Sequence, residues 1–180
     1  MDEKMKAASK KPEHMTSLWG NKLVSKTHGR IAFRGVIDTL QAEVIEAQVL
    51  ASLQGADDIR GKLGEVLDYL RSLMSAEVRE TPLPPPFLFG MDAEEIHRQS
   101  HKAEGGVKLP ACAQGPVAAR LNFLRAKTRE AELAAVRAFA PAANTAETLE
   151  REDIILGLNR LSSALWCLFR EHVADRERQG

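Results

Sequence analysis

Two arginines and a glutamate carry the first chemical signal in this sequence. In RLNFLRAKTREAE (120–132), Arg125, Arg129 and Glu132 stand at i, i+4 and i+7, so a helix stacks them on one face. At about 100° per residue the row is predicted to lie off the solvent side. Leu121 and Leu124 flank it on one edge, Leu133 and Val136 on the other, while Lys127, Glu130 and Arg137 face water. Charges inside an apolar arc need partners, because desolvating an unpaired ion is costly. The row is therefore either an inter-helix salt-bridge network or a site for an anionic ligand, arginine's planar fork being suited to phosphate. Asp38, among apolar neighbours upstream, is a carboxylate that answers Arg125 or Arg129.

Other residues offer weaker chemistry. His97 and His101 stand at i, i+4, a spacing able to chelate one divalent metal, and solvated histidines are the plain alternative. Glu94-x-x-His97 is a single copy, whereas a di-iron bundle needs two such motifs, so no metal centre is assigned. Lys22 and Lys26 lie in a polar turn that either holds a triphosphate or is merely solvated. Asn159 borders the apolar stripe of the last helical stretch, where an amide caps a neighbouring helix or meets a ribose hydroxyl. No Walker A, GxGxxG or GxSxG motif is present.

The elements that must position these residues are helices. The chain of 180 residues is 44% hydrophobic and 28% charged, with Lys plus Arg and Asp plus Glu both 25, which gives no bulk attraction to nucleic acid. Two separated cysteines make neither a CxxC pair nor a zinc spacing, and no apolar run approaches a membrane span. A soluble, cytoplasmic protein is expected. Residues 1–21 read as a flexible lysine-bearing tail and 22–180 as one helical-bundle domain. Helices are predicted over about 30–54, from a cap at Asp57 or Asp58 through the Leu73 region, from Asp92 to about His101, from Pro116 to about Ala140, and over about 147–175. The run TPLPPPFLFG (81–90) holds four prolines and reads as an extended connector. No strand is predicted. The fold class is all-α, with long up-and-down helices, one short helix and faces wide enough to suggest subunit contacts.

The ordered pair RxxxRxxE (125–132) and LNRLSS (158–163) resembles the cobalamin adenosyltransferase family. The segments FRGVID (33–38), IHRQSH (96–101) and LNFLRAKTRE (121–130) bring the chain closest to that family's ethanolamine-utilisation type. The resemblance implies a five-helix bundle that assembles as a homotrimer with sites between subunits. It implies transfer of the 5′-deoxyadenosyl group of ATP to Co(I) of cobalamin, with Mg²⁺ accompanying ATP and a reductase or other electron donor as partner. By the same carry-over, Arg125 and Arg129 serve the nucleotide, Glu132 orients the arginines or the metal-bound phosphates, Asn159 and Arg160 meet the ribose or the corrinoid, and Lys22 and Lys26 hold the triphosphate. Asp38 then pairs with Arg125 across the subunit interface, and Phe87 or Phe89 is the wedge that displaces the corrinoid's lower ligand. The lysine-bearing tail leaves association with a bacterial microcompartment open.

The chain departs from the family in places. It has no counterpart of the cysteine-rich metal region of some ethanolamine-type members, and Ser163 stands where an Asp is common in the propanediol type. Two other readings keep the bundle without the chemistry: a non-catalytic corrinoid or nucleotide carrier, and a helical oligomerisation module.

Overall fold

Phe33, Ile37, Leu40, Val44, Ala47 and Ala51 recur every three or four residues and form the buried face of helix α1, Gly29–Leu53. His28 caps it, its Nδ1 accepting the Arg30 amide hydrogen at 3.2 Å. The structure, a computed structural model, describes residues 11–102, 109–140 and 149–179. Within them α2 spans Asp57–Arg79, α3 Ala93–Ser100, α4 Pro116–Phe139 and α5 Glu152–Gln179. Helix α1 packs on α2 and α4, α5 closes the group by packing on α4 and α2, and α3 lies against α5. The expected bundle of four long helices and one short one is therefore present.

Local chemistry explains the boundaries. Asp92 accepts the Glu95 amide hydrogen at 2.8 Å, the predicted cap of α3. Pro116 opens α4, where its missing N–H costs nothing. The cap of α2 differs from expectation: Ala56 occupies it without a side-chain bond, and Asp57 and Asp58 sit inside the first turn, facing the positive end of the helix dipole. The last helix begins at Glu152, later than the expected start near 147, and residues 141–148 lie outside the described residues.

The absence of strands is the main correction. Met15–Trp19 (β1) and Lys22–Ser25 (β2) form an antiparallel hairpin, with Met15 opposite Ser25 and Trp19 opposite Lys22. Part of the stretch read as a tail is thus ordered, and Leu18 is buried. Gly20, at φ 47°, takes the left-handed turn, and Gly20-Asn21 between two short β-prone runs is a hairpin signal. The hairpin covers a buried ion cluster at one end of the bundle. Arg30 Nε and Arg34 Nε meet the two oxygens of Glu77 at 2.6 and 2.5 Å, Arg30 also reaches Glu80 at 2.8 Å, and Trp19 lies 4.5 Å from the Arg30 guanidinium. Burial opposes the Arg30 charge, but its bonds to Glu80 and Glu77 prevail and hold its proton above the usual arginine value.

The proline run is an extended connector from α2 to α3, as predicted. Arg151 and Asp153 tie it to α5: Asp153 Oδ2 accepts the Leu83 amide hydrogen at 2.7 Å, and Arg151 donates to Thr81 O at 3.0 Å. Gly157 makes room behind it, because a Cβ there would run into the Tyr69 hydroxyl. Burial pushes the Asp153 carboxyl up, but the bonds from Arg151 and the Leu83 amide outweigh it and hold the group below its ordinary 3.8. A carboxyl depressed on folding stabilises the protein above its ordinary value, and that contribution is lost as pH falls through the lowered one. Asp153→Asn is therefore expected to cost about 1–3 kcal/mol at neutral pH. The difference from the parent should shrink below about pH 4 in urea midpoints measured across pH. A difference that stays constant down to strong acid refutes the linkage.

Candidate active site

Three helices converge on a cavity of about 550 Å³. From α4 come Arg125 and Arg129, one turn apart. From α5 come Asn159, Ser162, Ser163 and Trp166, whose i, i+3, i+4 and i+7 spacing sets them on one face. His97, Ser100 and His101 of α3 complete the wall, and Leu109 and Pro110 approach from the segment before α4.

The arginine row lies beside the buried stripe of α4 rather than within it. That stripe is Leu121, Leu124, Thr128, Ala131 and Ala135, whereas Leu133 and Val136, expected as an apolar flank, are 57% and 37% exposed. Arg129 is exposed and Arg125 half-buried, so the row opens to the cavity and to solvent. Within the described residues neither arginine meets a carboxylate. Arg125 Nε donates to Asn122 Oδ1 at 3.1 Å, and its guanidinium stands 5.6 Å from the Trp166 ring. Burial and the neighbouring Arg129 charge both push its proton affinity down. Two like charges in one cavity, one partly desolvated, are the electrostatic complement of an anion. Among the described residues the arginine pair therefore has no salt-bridge partner.

Glu132 takes a different partner from the one expected. Its Oε1 accepts from Asn159 Nδ2 at 3.0 Å, while Asn159 Oδ1 accepts from Arg160 Nη1 at 2.6 Å. With both ends of the amide engaged, Asn159 has one defined orientation at the cavity wall. Ser162 adds a further hold by donating to the Asn159 carbonyl at 2.8 Å. Arg160 stands behind Asn159 and does not line the cavity, and its Nε is buried with no hydrogen-bond partner among the described residues.

The other expected residues are not brought there by this chain's own fold. Lys22 lies on the hairpin with its ammonium 4.4 Å over Trp19, and Lys26 follows the same hairpin. Asp38 is exposed on α1 and pairs with neither arginine among the described residues. Phe87 is 70% exposed; Phe89 packs on the core with its amide held by Glu65 at 2.7 Å, and neither reaches the cavity. Trp166 is the aromatic that does. It stacks on Phe169, centroids 5.2 Å apart, and lines the cavity. Its position seven residues after Asn159 was the available signal.

The sequence profile described as cobalamin adenosyltransferase matches residues 7–172. The corrinoid adenosyltransferase EutT of Salmonella typhimurium (strain LT2) is 32% identical over 169 residues, which cover 92% of this chain and 61% of that protein. The corrinoid adenosyltransferase EutT of Escherichia coli (strain K12) is 32% identical over 164 residues, covering 89% of this chain and 59% of its own length. The chain thus spans about three fifths of the length of these curated relatives.

Proposed function

The chain belongs to the cobalamin adenosyltransferase family, and on that basis we propose that it transfers the 5′-deoxyadenosyl group of ATP to Co(I) of a corrinoid. The observation that carries this reading is the pair Arg125 and Arg129, set in a cavity of about 550 Å³ without a carboxylate partner among the described residues. Co(I) attacks C5′ of ATP, the carbon–oxygen bond breaks, and tripolyphosphate leaves with the bonding pair. Negative charge then accumulates on the departing group, where fixed guanidinium charges lower the barrier most. Arg125 and Arg129 are assigned to that group. Asn159, oriented by Glu132 and Arg160, is assigned to the ribose, and the face of Trp166 to a planar ligand ring. Mg²⁺ fits as part of the nucleotide: among the described residues no cluster of three His, Cys, Asp or Glu is built to hold it.

Two exposed stripes support a subunit assembly. Asp38, Ala42, Ile45, Val49 and Leu53 recur at i, i+4, i+7, i+11 and i+15 on α1, with the last three 45%, 57% and 76% exposed. On α4, Arg129, Leu133 and Val136 make a similar row. These apolar residues are assigned to contacts with neighbouring subunits, in a homotrimer whose site lies between subunits and in which Asp38 of one subunit pairs with the arginine row of the next. Lys22 and Lys26, remote from the cavity in their own chain, serve the triphosphate across that boundary. Phe87, exposed on the connector, is available to a neighbouring corrinoid in the same way. A reductase or other electron donor supplies Co(I). No described helix is long and apolar enough to cross a membrane, in keeping with a cytoplasmic site of action.

Incubating the protein with cob(I)alamin, ATP and Mg²⁺ under strong reduction should yield adenosylcobalamin, followed by its visible spectrum. No product, together with calorimetric ATP binding, would replace the enzyme reading with the carrier. No product and no ATP binding would leave an oligomerisation module.

A further inference from the structure

We propose that His97 and His101 form a binding site for a divalent first-row transition-metal ion at the rim of the cavity. Both are exposed, His97 on α3 and His101 capping its C-terminus one turn on, with ring centroids 4.4 Å from each other and planes at 53°. An imidazole nitrogen lies about 2.1 Å from such an ion, with the ring centre roughly 1.1 Å behind it. Two rings on one ion at a right angle therefore stand about 4.5 Å apart, against roughly 5.2 Å at the tetrahedral angle. The observed spacing matches the right-angle bite. That bite suits octahedral or tetragonal ions such as Ni²⁺ better than Zn²⁺ in a tetrahedral site.

The proton placement agrees. His101 Nδ1 lies 2.8 Å from the His97 carbonyl oxygen, and a carbonyl only accepts, so Nδ1 carries the hydrogen and the neutral ring has its lone pair on Nε2. A backbone carbonyl behind the far ring nitrogen is the usual outer contact of a metal-bound histidine, fixing tautomer and ring direction. No hydrogen bond among the described residues engages His101 Nε2 or either ring nitrogen of His97. No third His, Cys, Asp or Glu joins the pair among those residues, which leaves the remaining coordination positions to water or an incoming anion. Both rings line the cavity that holds Arg125 and Arg129, so ion and arginines favour the same anionic oxygen ligand. The site does not rest on the adenosyl-transfer reading, and its test uses neither ATP nor corrinoid.

The experiment is calorimetric titration of the untagged full chain with Ni²⁺. One ion is expected per chain. His97→Ala and His101→Ala should each weaken binding at least tenfold, as loss of one arm of a chelate does, and the double variant should abolish it. His14→Ala, on an exposed histidine before the hairpin, should leave binding unchanged. Because His97 and His101 are exposed, far-UV circular dichroism should show all variants folded. The proposal is overturned if the folded double variant binds Ni²⁺ like the parent, or if the parent takes up none at about 1 mM.

Discussion

Arg129→Ala is expected to lower adenosylcobalamin formation by about 10²–10³-fold, roughly 2.7–4 kcal/mol of transition-state stabilisation. The change removes one of two guanidiniums facing the cavity, at the place assigned to the leaving polyphosphate. Arg129 is exposed and engages no acceptor among the described residues, so its removal breaks no hydrogen bond or ion pair among them. Unfolding free energy should therefore stay within about 0.5 kcal/mol of the parent. Activity and stability separate the readings cleanly. Single-turnover rates with cob(I)alamin and ATP, measured beside urea unfolding, decide between them: a variant that keeps its rate but loses stability returns the arginine to a structural role. Lysine at the same position should recover only part of the rate, because an ammonium lacks the planar fork that matches two phosphate oxygens.

Glu77→Gln should give the largest loss of stability, about 3–5 kcal/mol, because it leaves buried Arg30 and half-buried Arg34 side by side without their shared carboxylate. Glu77 is fully buried and meets one arginine with each oxygen, at 2.6 and 2.5 Å. For a chain of this size that is a fall of roughly 6–20 °C in melting temperature. The hairpin rests on the same cluster through Trp19 over Arg30, so it should loosen first. Trp166→Phe leaves Trp19 as the sole tryptophan, and in that background its fluorescence should change before the helical signal does. A melting curve unchanged by Glu77→Gln would mean the cluster adds nothing net to the fold. Glu77, Arg30 and Arg34 do not line the cavity, so the rate of Glu77→Gln per folded molecule should persist at temperatures where it remains folded.

Helices were legible in the sequence because their apolar spacing is a local, periodic signal that burial merely repeats. Phe33 to Ala51, the Asp92 cap and the proline connector could all be read this way. The hairpin escaped because its strands are five and four residues long, too short for alternation to stand out, and its stability comes from docking Trp19 and Leu18 on the bundle. The arginine row was legible as a row, yet its exposure was not. A helical wheel sorts residues by angle, but it does not say how wide a sector its neighbours cover, and here Leu133 and Val136 stay outside it.

By itself the sequence determined which residues share a face: Arg125 with Arg129, His97 with His101, and Asn159 with Trp166, all spaced by whole helical turns. Only the tertiary structure decided that these three faces meet in one cavity, that Glu132 serves Asn159 rather than an arginine, and that Phe87 and Phe89 stand elsewhere. The physical reason is range. Spacing along one helix follows from backbone geometry, whereas the meeting of α3, α4 and α5 depends on how their buried stripes pack together.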